Sequence, residues 1–275
     1  MQTINTKVTL NNGVTIPSLG LGVYKVEEGK EIEETVSYAL NLGYRLIDTA
    51  AFYDNEEGVG RAIRNSTIPR EEIFVTTKIW NSDQGYEETL QAFEKSFQKL
   101  NIDYIDLLLV HWPVKGKYLN TYRALEELYK QKKVRAIGVS NFTIEYLQDL
   151  LAHSTIKPVL NQVELHPKLS QKELIAFCKE HDIQVQAWSP IARGAVLNEP
   201  LIVELAKKYK KSTAQIILRW HLQNDVLIIP KSTNKERLKS NASIFDFELL
   251  KEDMQKIDAL NENKRFGADP TNFNF

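Results

Sequence analysis

Cysteine is almost missing from this chain. Cys178 stands alone among 275 residues, which excludes an internal disulfide and any Cys-x-x-Cys site for zinc or an iron–sulfur cluster. Leu174, Ile175 and Phe177 share its apolar helical face, so a packed core thiol is expected. The five histidines, at 111, 153, 166, 181 and 221, lack metal-ligand spacing. No apolar run approaches the roughly 20 residues that span a bilayer. The start, Met1-Gln2-Thr3-Ile4-Asn5, has neither the charged end nor the apolar stretch of an export signal. A cytoplasmic protein is therefore expected, and the glycosylation triplets at Asn65, Asn141 and Asn241 are read as chance. Neither sign of charge is in excess. Thirty-five basic against 36 acidic residues leave a formal charge of −1, and no global field favours nucleic acid or an anionic membrane. Gly20-Leu21-Gly22 and Gly58-Val59-Gly60 both lack the third glycine of a dinucleotide fingerprint, and there is no P-loop. Gly/Ser linkers and low-complexity stretches are missing too, so one domain over residues 1–275 is expected.

What is present is a regular alternation. The composition, 43% hydrophobic and 26% charged, is that of a soluble globular protein. Asn12-Gly13 sits between the apolar runs of Val8–Ile16, which predicts an N-terminal hairpin ended by Pro17. Eight short apolar strands follow, near 20–24, 44–47, 73–78, 104–111, 134–140, 159–163, 183–188 and 226–230. Helical faces lie between them, such as Ile32, Val36, Ala39 and Leu40, or Leu90, Phe93, Phe97 and Leu100. Ser170–Glu173 and Ser212–Gln215 read as capping boxes. The strands lack strict polar alternation, which suggests burial on both faces. Eight βα units in about 250 residues fit a single (β/α)8 barrel of the TIM type. An open doubly wound sheet is the alternative. Beyond Leu260 a short polar tail carries Phe266, Phe273 and Phe275, which either fold over the barrel mouth or stay disordered.

In a barrel, strand ends converge on one face. Asp48 ends the second strand, Lys78 the third and His111 the fourth, with Tyr53 in the loop after Asp48. Any one of these at a loop start is an ordinary cap or solvated side chain; the combination is what points to chemistry. A free tyrosine titrates near ~10, too high for acid–base work at neutral pH, and a nearby ammonium lowers that value. Lys78 can supply the ammonium, and Asp48 can hold Lys78 charged. His111 can orient a carbonyl oxygen. Such a set protonates an aldehyde or ketone oxygen while a hydride attacks the carbon. No side chain supplies a hydride, so a cofactor must.

The chain resembles the aldo-keto reductase family along essentially its whole length. The matching residues are Gly43-Tyr44-Arg45 through Asp48-Thr49-Ala50 with Tyr53-x-Asn55-Glu56, then Lys78-x-Trp80 and Asp106 through His111-Trp112-Pro113. Gly138–Phe142, Asn161–Pro167, Ser189-Pro190 and Ile229–Ser232 complete the set, in order. The nearest likeness is to bacterial members that reduce glyoxal, methylglyoxal or diketo-gluconate. The resemblance implies a (β/α)8 barrel that binds NADPH/NADP+ without a Rossmann motif. It implies Tyr53 as general acid, Lys78 and Asp48 as its tuning pair, and His111 as the residue that orients substrate. It assigns Ser140, Asn141 and Gln162 to the carboxamide and Trp188 to the nicotinamide face. Ser189, Pro190, Ile191 and Gly194 belong to a segment that wraps the pyrophosphate, with Asp48, Gly22 and Val23 also beside the cofactor. Lys231, Ser232, Thr233 and Arg237 match a clamp on the 2′-phosphate, which favours NADPH over NADH. Asn241 matches an adenine contact, although Ser240 stands where the family usually has an acidic residue.

Tyr24, Trp80 and Trp112 match aromatic positions of the substrate pocket, and all three would also serve as packing at the barrel mouth. Tyr24 replaces a tryptophan of many relatives. The connection 113–118 and the tail are short, which suggests an open pocket for small polar carbonyls. His166 is expected to be structural. The expected partners are a small carbonyl substrate, no nucleic acid and no membrane, with the chain a monomer. Two other functions compete: an NADPH-binding sensor or structural barrel without turnover, and a Schiff-base aldolase using Lys78.

Overall fold

The computed structural model describes residues 3–272. The Asn12-Gly13 signal becomes an antiparallel hairpin of β1 (Lys7–Thr9) and β2 (Thr15–Pro17). Leu10 N–H bonds to the Val14 carbonyl at 2.8 Å, and Gly13 takes φ 84°, a left-handed conformation that glycine adopts without steric cost. Eight parallel strands follow: β3 (Leu21–Gly22), β4 (Leu46–Asp48), β5 (Phe74–Ile79), β6 (Ile105–Val110), β7 (Val134–Ser140), β8 (Leu160–Glu164), β9 (Gln184–Trp188) and β10 (Leu227–Ile228). Each pairs with the next in chain order. Parallel bridges Leu19–Ile228 and Gly22–Lys231 join the first strand to the last. The fold is thus the (β/α)8 barrel, and the open sheet is excluded.

Helices fill the crossovers: α1 (Lys30–Asn41), α2 (Glu56–Arg64), α3 (Tyr86–Leu100), α4 (Tyr118–Lys130), α5 (Ile144–His153) and α6 (Lys172–Glu180). Both α7 (Pro200–Tyr209) and α8 (Thr213–Gln223) lie between β9 and β10, and α9 (Lys235–Ala242) and α10 (Lys251–Asp258) follow β10. The face Ile32, Val36, Ala39 and Leu40 is the buried face of α1, as its spacing predicts. Cys178 is a buried thiol of α6, and burial pushes its pKa up to about 12. The Ser212–Gln215 capping box forms in both directions, at 3.2 and 2.8 Å. The Ser170–Glu173 box does not. Gln171 holds the N-cap position of α6 at φ 48°, its amide donates to the Glu164 carbonyl at 2.6 Å, and Ser170 N–H donates to Asn261. Long-range partners take the groups that a local cap would use.

Strand alternation divides the core in two. Leu46, Phe74, Leu107, Leu109, Ala136, Leu160, Leu227 and Ile229 fill the barrel interior with Leu10 and Ile16 of the hairpin. Ile47, Val75, Ile79, Leu108, Val110, Val163 and Val185 face the helices. The hairpin plugs the end where the strands begin. Asn11 donates to the carbonyls of Pro158 and Asp182, and Asn12 to that of Arg135.

Candidate active site

The same period of two builds the site. Counting on from the inward residues Leu46, Phe74, Leu109, Ala136 and Leu160 brings Asp48, Lys78, His111, Ser140 and Gln162 to the interior at the other end of the barrel. The lower layers are apolar and this upper one is polar. Tyr53 joins it from a 3-10 turn, Ala51–Tyr53. Asn55 fixes that turn from behind. Its oxygen accepts from Thr49 at 2.7 Å, and its amide donates to the carbonyls of Val23 and Val26 at 2.9 and 3.0 Å.

The four residues expected to meet do meet. Lys78 Nζ donates to Asp48 Oδ1 at 2.6 Å, to the Thr49 carbonyl at 2.8 Å and to the Tyr53 hydroxyl at 3.4 Å. An ammonium has three hydrogens, and these contacts use all of them. A charged lysine satisfies all three, and Asp48, which also accepts from Gln162 at 2.7 Å, is its counter-ion. Burial pushes Asp48 up and Lys78 down, and each charge opposes that drift in the other. Burial also pushes His111 well below its usual value, reinforced by Lys78, so its imidazole is neutral. The His111 ring lies edge-on to both Tyr53 and Trp80, at centroid distances of 5.8 and 5.0 Å.

One expectation is overturned. Lys78 does not bring the Tyr53 phenol below its free value. Burial, reinforced by the Asp48 charge and by the neighbouring Tyr24, holds it well above. A desolvated phenolate costs more than one ammonium returns. The phenol is fully protonated at neutral pH, which is the state a proton donor requires.

The carboxamide candidates are woven into this layer. Ser140 Oγ donates to the Gln162 carbonyl at 2.8 Å, Asn141 donates to the His111 carbonyl at 2.9 Å, and Trp188 Nε1 donates to Asn141 Oδ1 at 2.7 Å. Val23 is buried, and its N–H bonds to the Asp48 carbonyl at 3.1 Å. At Gly22 a Cβ would stand 2.7 Å from the Ile229 carbonyl oxygen, so only glycine permits that approach. After β9, Ser189, Ala192, Arg193 and Gly194 have φ of 49°, 50°, 54° and 95°. Within this bend Ala192 N–H bonds to the Ser189 carbonyl and Gly194 N–H to the Ile191 carbonyl, both at 2.8 Å. Pro190 is anchored by His221, whose ring donates to its carbonyl at 2.9 Å, and Ile191 is partly buried. Beyond β10, Lys231 and Arg237 are exposed, Thr233 is partly buried, and Ser232 and Asn241 are buried. Two exposed cations, with the hydroxyls of Ser232 and Thr233 between them in the chain, fit a phosphate-bearing dinucleotide. Among the described residues no group of three or more His, Cys, Asp or Glu could hold a metal.

The rim is aromatic. Tyr24 and Phe52 are 41% and 45% exposed. Tyr24 lies 4.9 Å from Tyr53, and Phe52 stacks on Trp80 at 3.8 Å. Trp112 is buried, and its carbonyl accepts from Gln84 at 2.6 Å. Phe52 escapes sequence reasoning, although its position beside Tyr53 is the signal that could have found it. Gln186 and Glu164 escape it too. Glu164 is buried and accepts the N–H groups of Phe266 and Gly267 at 2.7 and 2.9 Å. Burial works to raise its pKa, yet those bonds and His166 hold it below the ordinary carboxylate value. His166 is buried between Glu164 and Phe266, in the structural role expected of it. The tail thus folds back as far as Gly267, whose missing Cβ makes room for the Trp188 ring. Phe273 and Phe275 lie outside the described residues.

An (β/α)8 barrel with a buried Lys–Asp pair beneath a tyrosine at its mouth defines a class of barrel oxidoreductases. The profile of the Aldo/keto reductase family matches residues 18–262, and the chain belongs to that family. It is 57% identical over 263 residues to the glyoxal reductase of Bacillus subtilis, covering 96% of this chain and 95% of that protein. It is 43% identical to the methylglyoxal reductase DkgA of Escherichia coli, over 98% of both chains. A crystal structure of a Gox0644 mutant in complex with NADPH superposes with a TM-score of 0.94 at 42% identity, covering 98% of this chain and 99% of that one.

Proposed function

We propose that the protein reduces small aldehydes and ketones with NADPH, glyoxal and methylglyoxal among them, with Tyr53 as the proton donor. The observation that carries this is the use of the Lys78 hydrogens. Lys78 donates to the Tyr53 oxygen, so the phenol's own hydrogen points away from it and is free for a carbonyl oxygen in the pocket. Neutral His111 directs a second hydrogen bond to that oxygen. As the proton leaves, the growing phenolate charge faces an ammonium 3.4 Å away, an attraction of the order of 5 kcal/mol at an effective dielectric near 20. Ser140, Asn141, Gln162 and Trp188 would hold a reduced nicotinamide, which would supply the hydride that no side chain can. Ser189–Gly194 would take the pyrophosphate, Lys231, Ser232, Thr233 and Arg237 the 2′-phosphate, and Asn241 the adenine. That clamp supports NADPH over NADH. The exposed rim of Tyr24 and Phe52, with Trp80 and Trp112 beneath, suits small dicarbonyls, and the names of the two reductase relatives support the same class. Held as an ammonium by Asp48, Lys78 has no lone pair to offer as an imine-forming nucleophile. The reading takes residues 1–275 as one domain, monomeric and cytoplasmic; among the described residues no helix is long and apolar enough to cross a membrane.

Tyr53→Phe tests it. Turnover of methylglyoxal with NADPH should fall by about 10²–10⁴-fold, while NADPH affinity and Tm stay at wild-type values. Undiminished turnover would remove Tyr53 from the role of acid. Tight NADPH binding by the wild type, with no turnover across a broad carbonyl panel, would make the barrel a sensor or structural protein instead.

A further inference from the structure

Gln186 has no part in the reaction just described, and its surroundings give it one. It stands on β9 at the parity of Trp188, faces the barrel interior and is fully buried. Its register partner on β8 is Gln162. A buried amide is a poorer filler than leucine or methionine unless its hydrogen bonds matter. Donor counting at Gln162 shows why they do. Its Nε2 carries two hydrogens. One goes to Asp48 Oδ2 at 2.7 Å and the other to Gln186 Oε1 at 2.8 Å. A polar line therefore crosses the barrel from Lys78 on β5 and Asp48 on β4 to Gln162 on β8 and Gln186 on β9. With both hydrogens used, Gln162 can offer a ligand only its oxygen. Turning the amide over would set that oxygen against the Asp48 carboxylate, an acceptor that has no N–H to offer. Asp48 alone engages one hydrogen; Gln186 engages the second.

We infer that Gln186 is a positioning residue for the nicotinamide: it locks Gln162 as a pure acceptor, so that the NH2 and not the carbonyl of the carboxamide must face Gln162. The inference rests on the NADPH reading above and goes beyond it, because it makes cofactor discrimination depend on a side chain one shell behind the site. Without Gln186 the Gln162 amide regains a free N–H and accepts either end of the carboxamide.

The probe is the acetylpyridine analogue of NADPH, in which a methyl group replaces the amide NH2. Binding is read from quenching of tryptophan fluorescence, independently of turnover. The wild type should prefer NADPH over the analogue by roughly tenfold, the value of one well-made hydrogen bond. Gln186→Met keeps the length and shape of the side chain and removes the acceptor; its preference should collapse toward unity. Gln186→Glu keeps an acceptor oxygen and should restore the preference. A merely structural Gln186 would lower Tm in the Met variant and leave the preference ratio intact, which would overturn the inference. A wild type without preference would overturn it as well. Absence of carbonyl turnover in a wild type that shows the preference would strike the functional reading alone.

Discussion

His221 carries the effect of burial on a single side chain through to a measurable property. It is fully buried in α8, its ring nitrogen donates to the Pro190 carbonyl, and burial pushes its pKa down to about 3. The unfolded value is near 6.5, so the unfolded chain takes the proton first. Above about pH 6.5 both states are neutral and the group has no effect. As pH falls from there toward 3, stability is lost, at roughly 1.4 kcal/mol per pH unit. His221→Gln keeps an N–H donor and removes the titration. Its Tm should match the wild type near neutral pH and decline less between about pH 6 and pH 4. Parallel acid limbs in the two proteins would show that His221 does not set the slope. Tyr53 follows the same physics. Its identity and place after Asp48 were legible, but the direction of its pKa was not, because desolvation depends on what surrounds it.

Among the secondary-structure elements, all eight barrel strands lie where the apolar runs predict, with ends shifted by a few residues. What periodicity does not reveal is where two elements touch. Gly58-Val59-Gly60 lacks the third glycine of a dinucleotide fingerprint; in the structure its glycines let α2 approach neighbouring elements closely. A Cβ at Gly60 would fall well inside van der Waals contact of the Leu100 carbonyl oxygen at the end of α3. Backbone cannot rotate aside as a side chain can. Gly60→Ala should therefore force α2 and α3 apart and cost about 1–3 kcal/mol, read as a Tm lower by several degrees. A melting temperature equal to wild type would show that the helices slide freely at this contact. The two capping boxes make the same point. Ser212 caps α8 through reciprocal bonds with Gln215, whereas Asn261 and the Glu164 carbonyl draw Ser170 and Gln171 away.

In the whole molecule, the tail returns across the barrel mouth and seats Gly267 on Trp188. The indole cannot yield easily, since Asn141 holds its N–H at 2.7 Å. Gly267→Ala should therefore lift the tail from its Glu164 acceptor and loosen the wall behind Trp188. The expected result is NADPH binding weaker by roughly three- to tenfold, as one or two tail hydrogen bonds are lost, with Tm little changed because the tail adds little buried core. Unaltered NADPH affinity would detach the tail from the cofactor site.

Eight βα units, and the strand ends that carry Asp48, Lys78 and His111 with Tyr53 just after, were legible in the chain; closure into a barrel rather than an open sheet came from the bridges Leu19–Ile228 and Gly22–Lys231. Strand periodicity and strand ends are local properties, and a period of two carries inward-facing residues to the mouth without reference to distant parts of the chain. The remaining features come from three-dimensional neighbours. Gln186 facing Gln162, Phe52 stacked on Trp80, Glu164 gripping the tail and the raised pKa of Tyr53 depend on closure of the barrel. Closure juxtaposes residues far apart in the chain, such as Asp48 and Gln162, and withdraws them from water, and neither effect is written in any local pattern.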